Sequence, residues 1–208
     1  MLLDLVLPLE CGGCGAPSTR WCDTCAHAMT VRSDEPLLVT PRLDPGVPVF
    51  SLGRYVGVRR EVIIAVKEHG RSELTLPLGA ALGTALGHLV AWGIVTTPVA
   101  LVPAPTRRSA ARRRGGDPVT RMARAARLPD ATVVPALRLR AFTRDSVGLS
   151  AGARQTNIAG RVLLRKPVTG EVVLIDDVVT TGATACESVR ALQTAGADVA
   201  AVLAVAHA

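Results

Sequence analysis

At 208 residues the chain is long enough for one medium α/β domain with a buried core and a small appendage. Hydrophobic residues make up 49% and charged residues 20%, which excludes a disordered chain, and the five aromatics (Trp21, Phe50, Tyr55, Trp92 and Phe142) leave almost nothing on which bases could stack. The net charge is +7, and all but two of the 24 basic residues (Lys67 and Lys166) are arginine, whose planar fork suits phosphate oxygens and raises the expectation of a polyanionic partner.

Residues 1–9 contain Asp4 and lack a basic stretch, so no secretory signal is expected and a cytoplasmic location follows as the expectation. Cys11-x-x-Cys14 and Cys22-x-x-Cys25 come next, seven residues apart, with Gly12, Gly13 and Gly15 permitting tight turns. Four thiolates at this spacing suit a tetrahedral, structural zinc site with no open position for a substrate. A cytoplasmic setting disfavours disulfides, and an iron–sulfur cluster is the less common alternative. His27 follows closely, but the four cysteines already complete a shell. Residues 1–35 are therefore read as a zinc-binding module, 32–48 as a polar linker with prolines, and 49–208 as the main domain.

Residues 49–56 read as a strand or hairpin arm and 59–68 as a helix ending at Gly70. Residues 78–92 follow as a helix ending at Gly93. The stretch 74–106 has no Asp, Glu, Lys or Arg, and Gly79, Gly83 and Gly87 have the spacing of a membrane helix-packing motif. Pro77, His88 and Pro98 interrupt it, so a buried helix followed by a buried strand at 99–102 is expected instead of a membrane span. Asp117-Pro118 supplies an N-cap and a first-turn proline for a helix over 118–127, with Arg121 and Arg124 on one face. A short strand is expected at 132–134, then a polar loop or β-arm over 138–165.

The clearest signal lies over 172–184, which reads Val172-Val173-Leu174-Ile175-Asp176-Asp177-Val178-Val179-Thr180-Thr181-Gly182-Ala183-Thr184. A buried parallel strand delivers two acids at its carboxyl end, and a small-residue turn leads into a helix over 184–195 capped by Gly196. A second apolar run at 199–205 completes a βαβ unit. Backbone N–H groups of the turn, the hydroxyls of Thr180, Thr181 and Thr184, and the positive end of the helix dipole can surround a phosphate. Asp176 and Asp177 are then placed to accept hydrogen bonds from ribose hydroxyls. Cys186, in that helix, reads as a buried apolar residue.

This string resembles the phosphoribosyl-pyrophosphate motif of type I phosphoribosyltransferases at every position. The resemblance implies that fold, a doubly flanked parallel sheet, with Asp176 and Asp177 as the catalytic pair and the whole segment Asp176 to Thr184 around the ligand. It also implies a second loop, at Ala104, Pro105 and Arg107, for a diphosphate bridged to the ribose by Mg²⁺. Joined to a four-cysteine module, the domain looks like the ComF family of competence-associated proteins. Leu7-Pro8, Tyr55-x-Gly57, Val62-Ile63 with Lys67 and Gly70, Val102-Pro103-Ala104-Pro105, Gly148-Leu149-Ser150 and Arg154-x-x-Asn157 match its pattern in order.

That resemblance implies binding of phosphoribosyl pyrophosphate, Mg²⁺, zinc and single-stranded DNA, and a role in DNA uptake beside recombination proteins. A DNA surface is expected on Arg112, Arg113, Arg114, Arg121 and Arg124, within a stretch 107–127 whose only acid is Asp117. Transfer of ribose 5-phosphate to a base or amine is the alternative function. The chain departs from the family at Arg114-Gly115-Gly116-Asp117, where Arg-Gly-Phe-Asn is usual, and at Ser146, where glutamine is common; both changes bear on base transfer.

Overall fold

The computed structural model describes residues 9–106, 116–140 and 160–208. Its elements are α1 (Asp23–Ala28), β1 (Leu37–Val39), β2 (Val49–Ser51), α2 (Gly57–Lys67), α3 (Thr75–Ala91), β3 (Val99–Pro103), α4 (Pro118–Ala125), β4 (Ala131–Val133), β5 (Leu137–Leu139), β6 (Val162–Leu164), β7 (Glu171–Val179), α5 (Ala183–Thr194) and β8 (Asp198–His207). Six strands form one sheet in the order β1-β2-β8-β7-β3-β4, and β5 pairs with β6. Every pairing from β2 to β4 is parallel; β1 runs antiparallel at one edge.

The apolar run of β7 is buried on both faces because its side chains alternate. Val173 and Ile175 join Ala201 and Leu203 of β8 on the face covered by α2, α3 and α4. Val172 and Leu174 join Val202 and Ala204 on the face covered by α5, through Ala185, Val189 and Leu192. Each fully buried Leu or Ile in these clusters contributes about 1.5 to 3 kcal/mol over its exposed state.

Helix α3 belongs to the stretch long and apolar enough to cross a membrane by length and composition. Here Leu78, Leu82, Leu86 and Leu89 are buried in the sheet-facing core. Two of its glycines serve packing against α4: a Cβ added at Gly79 would lie 2.3 Å from Ala125 Cβ, and one at Gly83 would lie 3.1 Å from Arg127 N. The membrane-like glycine spacing thus brings two helices of one domain together.

The expected elements stand close to their sequence positions, with two differences. The 138–165 region contains the paired strands β5 and β6, so its arm-like reading holds for the described part. Strand β7 runs on through the acid pair to Val179, because β8 keeps pairing with it as far as Val179↔His207. The linker at 32–48 is tied down along its length. Glu35 accepts the Arg32 N–H at 3.0 Å, the Glu35 carbonyl lies 2.6 Å from His88 Nδ1, and β1 pairs with β2.

Candidate functional site

The four cysteines form a cluster in which the Sγ atoms all lie within 4.8 Å of one another. Cys11 and Cys14 each place Sγ 3.6 Å from Cys22 Sγ. That is close to the edge of about 3.8 Å for a tetrahedron with 2.3 Å zinc–sulfur bonds, and far beyond the ~2.05 Å of a disulfide. The local chain builds the cluster: Cys22 caps α1, its sulfur accepting the Cys25 N–H at 3.5 Å, which turns Cys25 inward. Burial opposes ionisation at Cys11, but N–H groups of Gly13, Cys22 and Cys14 draw its thiol down to about 6. Burial together with the neighbouring sulfurs pushes Cys25 up. Four thiolates this close need a cation among them, and the cluster can hold a zinc ion; His27 lies outside it.

The segment packs on the main core and does not stand apart. A Cβ at Gly12 would meet Leu74 Cδ1 at 2.2 Å, Met29 is buried in the core, and Trp21 and Val31 pack against it.

The second constellation lies at the carboxyl ends of β3 and β7, where parallel sheets place their ligands. Asp176 and Asp177 are 8% and 7% exposed. Asp176 Oδ1 accepts the Asp177 N–H at 2.8 Å, and Asp177 Oδ1 accepts the Val178 N–H at 2.7 Å. Lys67, the last residue of α2, places Nζ 2.8 Å from Asp177 Oδ1. Burial alone would lower the Lys67 ammonium, but Asp177 beside it and Asp176 behind it raise it.

The strand then turns through exposed Thr180 and half-buried Thr181 to Gly182, at φ +84°, which caps α5. Only glycine is at ease at that φ. The Ala183 N–H reaches Thr181 Oγ1 at 3.4 Å, while the N–H groups of the next residues, Thr184 included, belong to a helical first turn with no intrahelical acceptor. Gly182 is also crowded from outside: a Cβ there would lie 2.3 Å from the Leu43 carbonyl oxygen and 3.0 Å from Pro41 Cβ. The Leu43 N–H donates to the Thr181 carbonyl at 2.9 Å. Residues 41–43, read as linker, are a strap across the turn. Cys186, behind the turn, is half-buried, and burial raises its thiol.

The neighbouring β3 ends beside this turn. Ala104 continues the sheet by donating to the Ile175 carbonyl at 2.7 Å, and Ala104 and Pro105 are buried. Thr106 Oγ1 donates to Asp117 Oδ1 at 3.0 Å, and Asp117 also accepts from Val119 N–H and Thr120 Oγ1 at the start of α4. The aspartate at the divergent position is thus a helix cap that ties the end of β3 to α4. Arg107, Arg112, Arg113 and Arg114 lie outside the described residues.

The two remaining arginines expected to meet nucleic acid, Arg121 and Arg124, line a cavity of about 820 Å³ between α3 and α4, with Arg127, Leu76 and Ala80 also on its walls. This cavity is separate from the acid pair. Lys67 and the strap are the features that the sequence reading passed over. Lys67 stood out only as an isolated basic residue within a matched motif, and nothing local tied residues 41–43 to a turn beyond residue 180.

Comparison with known proteins agrees with this geometry over a short span. No family model matches the chain. It is 52% identical over 44 residues to the orotate phosphoribosyltransferases of Bordetella pertussis and Bordetella bronchiseptica, a match that covers 21% of this chain and 20% of those proteins. The chain thus spans about one-fifth of the length of these curated relatives. With the parallel sheet and the strand–turn–helix at 171–194, this supports a phosphoribosyltransferase-type domain.

Proposed function

We propose that the domain binds phosphoribosyl pyrophosphate with Mg²⁺ at the turn from Asp176 to Thr184, and that the protein acts as a ComF-type factor handling single-stranded DNA in the cytoplasm during uptake. One observation carries the ligand reading: two buried acids on a central strand lead through a positive-φ glycine into a helix whose first-turn N–H groups have no partner within the helix. The turn takes the 5′-phosphate, Asp176 and Asp177 take the ribose hydroxyls, and the loop from Ala104 and Pro105 towards Arg107 takes the diphosphate. Mg²⁺, when bound with the ligand, would neutralise part of the diphosphate charge. Zinc at Cys11, Cys14, Cys22 and Cys25 is structural in this reading.

Saturating ligand, at about one hundred times its Kd, stabilises the native state by about 2.7 kcal/mol. For a protein of this size that raises Tm by roughly 5 to 11 °C. The joint change Asp176→Ala and Asp177→Ala is expected to abolish the rise. A double variant that responds as the wild type does counts against the assignment.

The DNA reading rests on the arginines that the fold gathers beside α4. Charge neutralisation with counterion release gives little sequence preference and a steep loss of affinity with salt. Changing Arg121 and Arg124 to Ala is expected to make the logarithmic salt slope shallower by about 1.4, at about 0.7 per contact. The thermal response to phosphoribosyl pyrophosphate should persist in this variant. An unchanged slope in a fluorescence titration with a single-stranded oligonucleotide would remove this surface from consideration.

The second reading, transfer of ribose 5-phosphate to a nucleobase with release of pyrophosphate, is favoured by the short similarity to orotate phosphoribosyltransferases. Pyrophosphate release assayed across a panel of bases, orotate included, separates it from a purely ligand-binding pocket.

A further inference from the structure

A polyanionic sugar phosphate at this turn meets a difficulty of charge, because the floor of the site holds two adjacent buried carboxylates. The structure treats them unequally. Asp177 has the Lys67 ammonium at 2.8 Å and the Val178 N–H at 2.7 Å. Asp176 accepts the N–H of Asp177 at 2.8 Å, and alternation along β7 sets it towards the opposite face of the sheet.

The charged groups acting on Asp176 are Asp177 on its own strand, Lys67 from α2 and Asp117 from the start of α4. The adjoining strands contribute Ala104 beyond β3 and Ala204 of β8, and the first turn of α5 contributes Ala183, Thr184 and Ala185; none is charged. Tyr55 faces Lys67 from the segment before α2. Lys67 is thus the one cation among the groups that act on Asp176.

We propose that Lys67 is a positioning residue that pairs with Asp177 and leaves Asp176 as the neutral acid, so that these three groups together carry no net charge and the site admits an anionic sugar phosphate. The inference rests on the phosphoribosyl reading and adds a division of labour between the two acids. Burial raises the Asp176 carboxyl to about 8; Asp177 beside it adds to the rise and Lys67 opposes it. The raised value fixes the direction of the pH effect. Below about 8 the proton stays on Asp176 and the three groups are together neutral, whereas above it the proton passes to solvent and one uncompensated negative charge faces the ligand.

Ribose 5-phosphate without metal is the appropriate probe, because the second ionisation of its phosphate, near 6, is nearly complete above pH 7. Calorimetric titration from pH 7 to 9.5 is expected to give a nearly constant Kd up to pH ~8. Above that, Kd should rise about tenfold per pH unit, reaching roughly 30-fold at pH 9.5. Asp176→Asn alters a ribose contact and is expected to bind the probe more weakly, and the binding that remains should show a flat profile across the same window. Lys67→Met should weaken binding at pH 7 by about tenfold or more and displace the profile, and Lys67→Arg should restore both.

Carboxyl carbon-13 NMR of the ligand-free wild type provides a reading that depends on no variant, and a titration midpoint at Asp176 near 8 is expected. A midpoint below about 6, a wild-type Kd that stays flat to pH 9.5, the same decline in Asp176→Asn, or an unaltered profile in Lys67→Met would each overturn the proposal. Failure of the wild type to bind ribose 5-phosphate at any pH would instead overturn the phosphoribosyl reading, and the NMR midpoint distinguishes the two failures.

Discussion

Cys22→Ala is expected to reduce bound zinc from one ion per chain to near zero and to unfold the segment before β1. Cys22 is both a member of the cluster and the cap of α1, so its loss removes a ligand and the residue that turns Cys25 inward. The segment has little else to hold it: between residues 9 and 35 the buried apolar side chains are Cys11, Cys25 and Met29. Structural zinc supplies about 10 to 16 kcal/mol to such small sites, far more than three side chains provide. The parallel sheet should survive, because both its core clusters are built mainly from residues beyond 49. The damage should reach the core surface at Leu74 and Met29, lowering Tm and exposing residues 9–35 to protease. Elemental analysis, limited proteolysis and circular dichroism check the three parts. A variant that keeps zinc, or loses it while the segment resists protease, counts against a metal-held fold.

Gly182→Ala is the second change expected to have a large effect. The new methyl must adopt φ +84° and would lie 2.3 Å from a backbone oxygen, which cannot rotate away as a side chain can. Left-handed strain and the clash together cost roughly 3 kcal/mol, or about 6 to 12 °C in Tm. The thermal response to phosphoribosyl pyrophosphate should disappear, because relief of the clash requires the turn or the strap to move. Gly46→Ala is the matched control: the residue has φ +75°, lies on the same connection, and nothing comes within 4 Å of its added Cβ. That change should cost only about 1 kcal/mol and leave the ligand response intact. Equal effects from the two changes would show that strain alone, without the strap, governs the position.

What could be read in the sequence was local. The run from Val172 to Ile175, the acid pair and the Thr-Thr-Gly-Ala-Thr turn are contiguous, and each residue type reports its own backbone need. The same holds for the cysteine pairs and for Asp117-Pro118. The extension of β7 through Asp176 was hidden because paired acids usually end a strand; the partner β8 holds it, and no local pattern reports a partner. The Lys67 contact joins the end of α2 to a strand more than a hundred residues later, and an unpaired helix-end lysine has the same sequence signature as one paired with a distant acid. The strap is the same kind of case: a proline-bearing polar stretch reads as a linker whether or not it lies on something.

The position of β2 between β1 and β8 bears on how the protein is made. Ser51 meets His207 across 156 positions, and β2 has no partner on its inner side other than β8. During synthesis, everything up to residue 51 must leave the ribosome and wait while some 150 more residues are added, at about 5 to 20 per second. Through that interval of roughly ten seconds or more the edges of β1 and β2 are open, and the turn at Gly182, not yet made, cannot receive its strap. Contacts so distant along the chain slow folding. The nascent amino-terminal segment is therefore exposed for longest, and its four cysteines emerge well before the domain that will shelter them exists.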